Sequence, residues 1–137
     1  MAKLATSSAI VTDVIKHERL PQWGYDRDTV TVNLASETTL KVGTVLGKIT
    51  ASGKYLPRDA AAVDGSEVAV AVVREEILVP AATDTQVVVL GGARPAVESV
   101  LLDAGLVFEI AQDAGQIASA IAELEEGKGF RVIREYA

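Results

Sequence analysis

The chain has 137 residues, a formal net charge of −6, no cysteine and a single histidine. These counts fit one domain and exclude disulfides, thiolate metal ligands and multi-histidine metal sites, so neither a metal nor a cofactor is predicted. An acidic chain repels phosphate backbones and anionic lipid, which argues against nucleic-acid and membrane binding.

Residues 1–28 differ from the rest of the chain in charge and in residue pattern, and they predict an extended N-terminal arm. They carry no net charge, whereas residues 29–137 hold the whole charge of −6. The segment has neither helical periodicity nor a long strand, but it contains the apolar residues Ile10, Val11, Val14 and Ile15, which could fill pockets on a partner. An N-terminal strand packed on its own domain is the alternative. Trp23 and Tyr25 are candidate anchor residues at the junction with the body.

Residues 29–137 predict a compact β-rich body. Short runs with alternating or continuous apolar residues are separated by Gly and Asp turns, a pattern that favours a sandwich-like or barrel-like fold. The predicted strands cover residues 29–34, 44–50, 55–56, 67–73 and 86–90, with a hairpin turn at 51–54 and another turn at 64–66.

One helix is predicted in the C-terminal third. Asp113 as N-cap and Gln116 three residues later form a capping-box pattern, and Gly127 suits the left-handed position that ends a helix. Apolar residues recur at helical spacing at Ile110, Ala114, Ile117, Ile121 and Leu124. A last strand is predicted over residues 130–134.

The sequence offers no recognisable catalytic constellation, so we expect that the protein is not an enzyme. Residues 47–54 resemble a phosphate-binding loop, but five residues separate the glycines and Tyr55 follows the lysine, so a hairpin is favoured. Asp59, Asp64 and Asp84 stand in turn contexts, where aspartate bonds to the backbone. His17 lies between charged neighbours and is expected to be solvated. A small ligand-binding β-barrel domain is the alternative to a protein-binding function.

The central block resembles the phage lambda-type head decoration proteins over residues 29–92. The resemblance rests on the order of a strand ending in G-T-V-L-G at residues 43–47, an S-G-K-Y hairpin at 52–55, a D-G-S turn at 64–66 and an Ala/Val strand at 68–73. Each motif alone is common, so the resemblance rests on their order and spacing together.

This resemblance implies a β-tulip or sandwich-like body, one C-terminal helix and an extended N-terminal arm. Proteins of this kind bind as homotrimers to the major capsid protein, outside the expanded head at three-fold and quasi-three-fold sites, and stabilise it against DNA pressure. The implied location is the outer virion surface, after synthesis in the bacterial host cytoplasm. The arm would then bind the coat through Ala5, Ser7, Ile10, Val11, Val14 and Ile15. Another virion assembly adaptor is the alternative.

Overall fold

The computed structural model describes residues 15–17, 27–92, 100–102, 105–127 and 129–133. Within them the chain forms ten strands and one long helix. The strands are β1 (Ile15–His17), β2 (Arg27–Val32), β3 (Thr38–Leu40), β4 (Val45–Lys48), β5 (Tyr55–Pro57), β6 (Ala71–Val73), β7 (Ile77–Val79), β8 (Thr85–Gly91), β9 (Val100–Leu102) and β10 (Arg131–Ile133). The helix, α1, spans Ala114–Gly127 and comes between β9 and β10 along the chain.

Five strands close into a barrel in the order β2-β5-β4-β6-β8, which confirms the mainly β fold. The longest pairing is antiparallel, between β2 and β8, with Val30 opposite Val87. Alternating side chains of these strands point inward, so Val32, Val87 and Val89 are fully buried in one apolar core. The barrel interior is therefore filled by aliphatic side chains.

A second layer covers one side of the barrel. Strand β9 pairs antiparallel with β1 and parallel with β10, and α1 packs next to this three-stranded sheet. Its core contains Ile15, Leu101, Leu124 and Val132, and it also includes Val45 of the barrel strand β4. The two layers thus share one continuous set of apolar contacts around β4.

The predicted capping box forms at the start of α1. The Gln116 amide donates to Asp113 Oδ1 at 2.8 Å, and the Asp113 amide donates to Gln116 Oε1 at 2.9 Å. The end of the helix differs from the prediction, because Gly127 is still helical and the left-handed glycine is Gly129, with φ of 74°. The buried side of the helix is formed by Ala120, Ile121 and Leu124.

Two features of the middle of the chain depart from the sequence prediction. Residues 67–70 are not a strand, because the turn at 64–66 continues to Val68, whose amide donates to the Gly65 carbonyl. The short strands β3 and β7 form a two-stranded antiparallel sheet that the sequence pattern did not indicate. Strand β2 begins at Arg27, and β1 belongs to the three-stranded sheet of the second layer.

Candidate functional site

The N-terminal segment joins the body at β1. Of the predicted contact residues, only Ile15 lies in the described part of the chain. Ile15 is 7% exposed and packs in the core of the second layer, together with Leu101 and Leu124. We call this cluster the second core. This position is the one expected from the alternative, an N-terminal strand packed on its own domain. The other predicted contact residues lie outside the described part of the chain: Ala5, Ser7, Ile10, Val11, Val14, Trp23 and Tyr25.

An open groove with a volume of about 380 Å³ lies beside the loop formed by residues 59–66. We call it the acidic groove, because three carboxylates and no lysine or arginine are among the described residues that line it. Its lining consists of the apolar residues Leu34, Leu56, Pro57, Ala62 and Ile110, the acidic residues Asp59, Asp64 and Glu109, and the hydroxyl residues Ser36, Thr38 and Ser66. The groove therefore combines apolar surface with negative charge.

Two carboxylates of the acidic groove shape the adjacent loop. Asp59 accepts a hydrogen bond from the Ala61 amide at 3.0 Å, and Asp64 accepts one from the Ser66 amide at 3.0 Å. These bonds confirm the turn roles predicted for both aspartates. The Ser66 hydroxyl also donates to Asp64 at 2.6 Å, and together the Ser66 donors lower the pKa of that carboxyl. Asp64 is consequently ionised at neutral pH and keeps the groove negative.

Glu109 differs from the two aspartates because no described residue donates a hydrogen bond to its side chain. It is exposed on the segment before α1, and among the described residues no cation pairs with it. Its charge is thus available to a group that enters the acidic groove.

A buried arginine, which the sequence analysis did not identify, connects the barrel to α1. Arg58 is 4% exposed and follows β5, and its Nε donates to Glu123 Oε1 at 3.2 Å. The guanidinium also donates to Gln112 Oε1 and, at 3.2 Å, to the Gln116 carbonyl. Glu123 Oε1 in turn accepts the Ala69 amide at 2.8 Å. This network fixes the helix and the segment before it next to the acidic groove.

Several large apolar side chains are exposed on the described surface. They are Val63, Val68, Leu78, Ile110 and Ile133. Val63 is 96% exposed and stands in the loop beside the acidic groove, between two residues that line it. Val63 and the lining residue Ile110 thus add exposed apolar surface at the acidic groove.

The segment that resembles a phosphate-binding loop is a hairpin. Residues 49–54 form a hairpin closed by the hydrogen bond from the Ile49 amide to the Lys54 carbonyl, as predicted in place of a phosphate-binding loop. No group of three or more His, Cys, Asp or Glu side chains in the described ranges is placed to hold a metal ion. Likewise, no helix within those ranges has the length and apolar character required to cross a membrane.

The family model of bacteriophage lambda head decoration protein D matches residues 5–128. The chain therefore belongs to the lambda head decoration protein D family, as the motif order in its central block indicated. This family is a structural component of the phage virion and associates with the capsid. No curated protein sequence matches the chain.

Proposed function

We propose that this protein binds as a homotrimer to the outer surface of the expanded phage head, at three-fold and quasi-three-fold sites, and stabilises the coat lattice. The observation that carries the proposal is the family match across residues 5–128. The exposed apolar side chains and the open acidic groove support a function based on protein contacts. The protein is synthesised in the bacterial host cytoplasm and becomes part of the virion surface.

The stabilisation follows from binding equilibria alone. A ligand that binds only the expanded lattice stabilises that lattice by linkage, because dissociation of the coat requires loss of the bound ligand. A trimer contacts several coat subunits at once, so weak individual contacts act together through a high effective concentration. The resulting lattice resists the outward pressure of packaged DNA without any chemical step.

Residues 1–14 are the proposed coat-binding arm, with Ala5, Ser7, Ile10, Val11 and Val14 as contact residues. Strand β1 is an outer strand of the described three-stranded sheet, and it pairs with β9 through Ile15. An extended segment can add a strand to an exposed sheet edge of a coat subunit, where main-chain hydrogen bonds give affinity and alternate side chains give register. Trp23 and Tyr25, between β1 and β2, are the proposed anchors at the arm–body junction.

Co-sedimentation with phage heads tests the proposal. Purified protein should bind saturably to expanded heads that lack it, should not bind unexpanded proheads, and should raise the temperature at which the heads rupture. Binding to neither form, or equal binding to both, would contradict a cement function. A portal or tail adaptor, the alternative, would saturate at a few copies per head rather than at many.

A truncation separates the arm from the body. Deletion of residues 1–14 retains Ile15, which the second core requires, so the shortened protein should fold and lose head binding. The matched control replaces residues 1–14 by a Gly/Ser segment of equal length, and it should also fail to bind. Full head binding by either variant would refute the role of the arm.

The interior of the barrel does not support the alternative function, a small ligand-binding β-barrel domain. The barrel interior is occupied by fully buried aliphatic side chains, including Leu46, Val73 and Val87. The acidic groove lies outside this core, between surface loops and strand β5.

A further inference from the structure

Strand β10 exposes one cation and one aliphatic side chain on the same face. Val132 is buried, whereas Arg131 and Ile133 on either side of it are exposed. Residues two apart on a strand point to the same side and are separated by about 6.6 Å. Within the described part of the chain, the Arg131 side chain makes no hydrogen bond or ion pair. We call Arg131 and Ile133 the basic–apolar patch.

The acidic groove has the opposite charge and a matching apolar character. It contains Ile110 as an exposed aliphatic residue and Glu109 as an exposed carboxylate one position earlier, and its described lining includes no lysine or arginine. A volume of about 380 Å³ is large enough to accept a branched aliphatic side chain together with part of an arginine. The two surfaces are therefore complementary in charge and in polarity.

We propose that the acidic groove of one copy receives the basic–apolar patch of a second copy. Ile133 would contact the apolar lining around Ile110, and Arg131 would pair with Glu109. Such a contact joins two different surfaces, so it is heterologous, and successive heterologous contacts close into a ring when the rotation permits. The inference rests on the proposed homotrimer and assigns the residues through which its copies meet.

Charge complementarity selects a second copy as the occupant. The chain carries its own counterpart to the acidic groove, namely an exposed arginine and an exposed isoleucine two positions apart on strand β10. A contact of this kind buries apolar area, and the ion pair adds orientation and selectivity more than affinity. A segment of the coat protein is the other possible occupant, and the experiments below distinguish the two.

Single substitutions test each surface separately. Ile133→Asp alters the patch and Ile110→Asp alters the groove, while Leu78→Asp introduces the same aspartate at a residue of β7 that belongs to neither surface. The three side chains are 42%, 40% and 51% exposed, so the substitutions should be similar in their effect on folding. By sedimentation equilibrium, the first two should raise the dissociation constant of self-association by about tenfold or more. Leu78→Asp should leave it unchanged.

A mixing experiment identifies the heterologous geometry. Each altered variant alone lacks one half of every contact and should be monomeric at a concentration at which the wild-type protein self-associates. An equimolar mixture of Ile133→Asp and Ile110→Asp retains one intact patch and one intact groove per pair, so it should form dimers of one to one composition. Similarly, Arg131→Glu combined with Glu109→Arg in one chain should restore the self-association that either charge reversal alone weakens.

Several results would overturn the inference. The first is that the wild-type protein stays monomeric at all concentrations. The second is that Ile133→Asp or Ile110→Asp self-associates as strongly as Leu78→Asp does. The third is that the equimolar mixture of Ile133→Asp and Ile110→Asp forms no dimer. Normal self-association with lost head binding would assign the groove to the coat protein instead. Failure of the proposed function gives a different result, because wild-type protein would then self-associate but not bind expanded heads.

Discussion

Removal of the Glu123 carboxylate should weaken the attachment of α1 to the barrel. Glu123 Oε1 accepts both the Arg58 Nε and the Ala69 amide, so Glu123→Ala leaves two donors without this acceptor. Breaking a fully buried ion pair costs about 3–5 kcal/mol. The Glu123 side chain is 30% exposed, and water can replace part of the lost interaction, so we expect about 2–4 kcal/mol in the free energy of unfolding.

Two further variants separate the charge from the hydrogen bonds. Glu123→Gln retains an amide oxygen as acceptor and should cost about 1–2 kcal/mol. Glu126→Ala changes an exposed carboxylate near the C-terminal end of the same helix and should be nearly neutral, within about 0.5 kcal/mol. Urea unfolding at one fixed protein concentration measures all three. Equal stability of Glu123→Ala and Glu126→Ala would refute the proposed structural role of the Arg58 network.

Three other predictions concern the barrel and its loops. A Cβ on Gly47 would lie 2.3 Å from the Ser66 carbonyl oxygen, so Gly47→Ala should lower the free energy of unfolding by about 2–3 kcal/mol, and an unchanged urea midpoint would contradict this close approach. Ala82 has φ of 51°, a left-handed conformation that is strained for alanine but not for glycine. Ala82→Gly should therefore raise the thermal midpoint and increase the free energy of unfolding by about 0.5–1 kcal/mol. A loss of stability would show that this strain is absent. The Asn33 side chain lowers the pKa of Asp84, so this carboxyl stabilises the fold above its ordinary pKa and loses that contribution as the pH falls through its folded value. Asp84→Asn should therefore reduce stability at pH 7 more than at pH 2 in urea titrations, and an equal loss at both would refute it.

Local patterns in the sequence predicted the elements that depend on local interactions. The capping box at Asp113 needs only residues within one turn, and it forms as expected. The alternation of Thr and Val in β2 predicted a half-buried strand, and Val30 and Val32 are indeed its buried residues. The exact helix end was wrong because two glycines two residues apart both suit a left-handed position, and Gly129 takes it.

Long-range contacts account for what the sequence pattern did not show. Arg58 is buried because Gln112 and Glu123, both more than fifty positions away along the chain, satisfy its guanidinium. Strand β9 is only three residues long, and its position between β1 and β10 depends on partners from both ends of the chain. The acidic groove likewise combines residues of separate segments, so only its Asp59 and Asp64 turns could be predicted locally.

The most direct test of the account is an icosahedral electron cryomicroscopy reconstruction of expanded heads that lack the protein, compared before and after it is added. The account predicts additional density only on the outer surface, at the three-fold and quasi-three-fold positions, with three copies of the β-barrel body in each feature. Added density at another symmetry position, inside the shell or at a single vertex, or no added density, would contradict it.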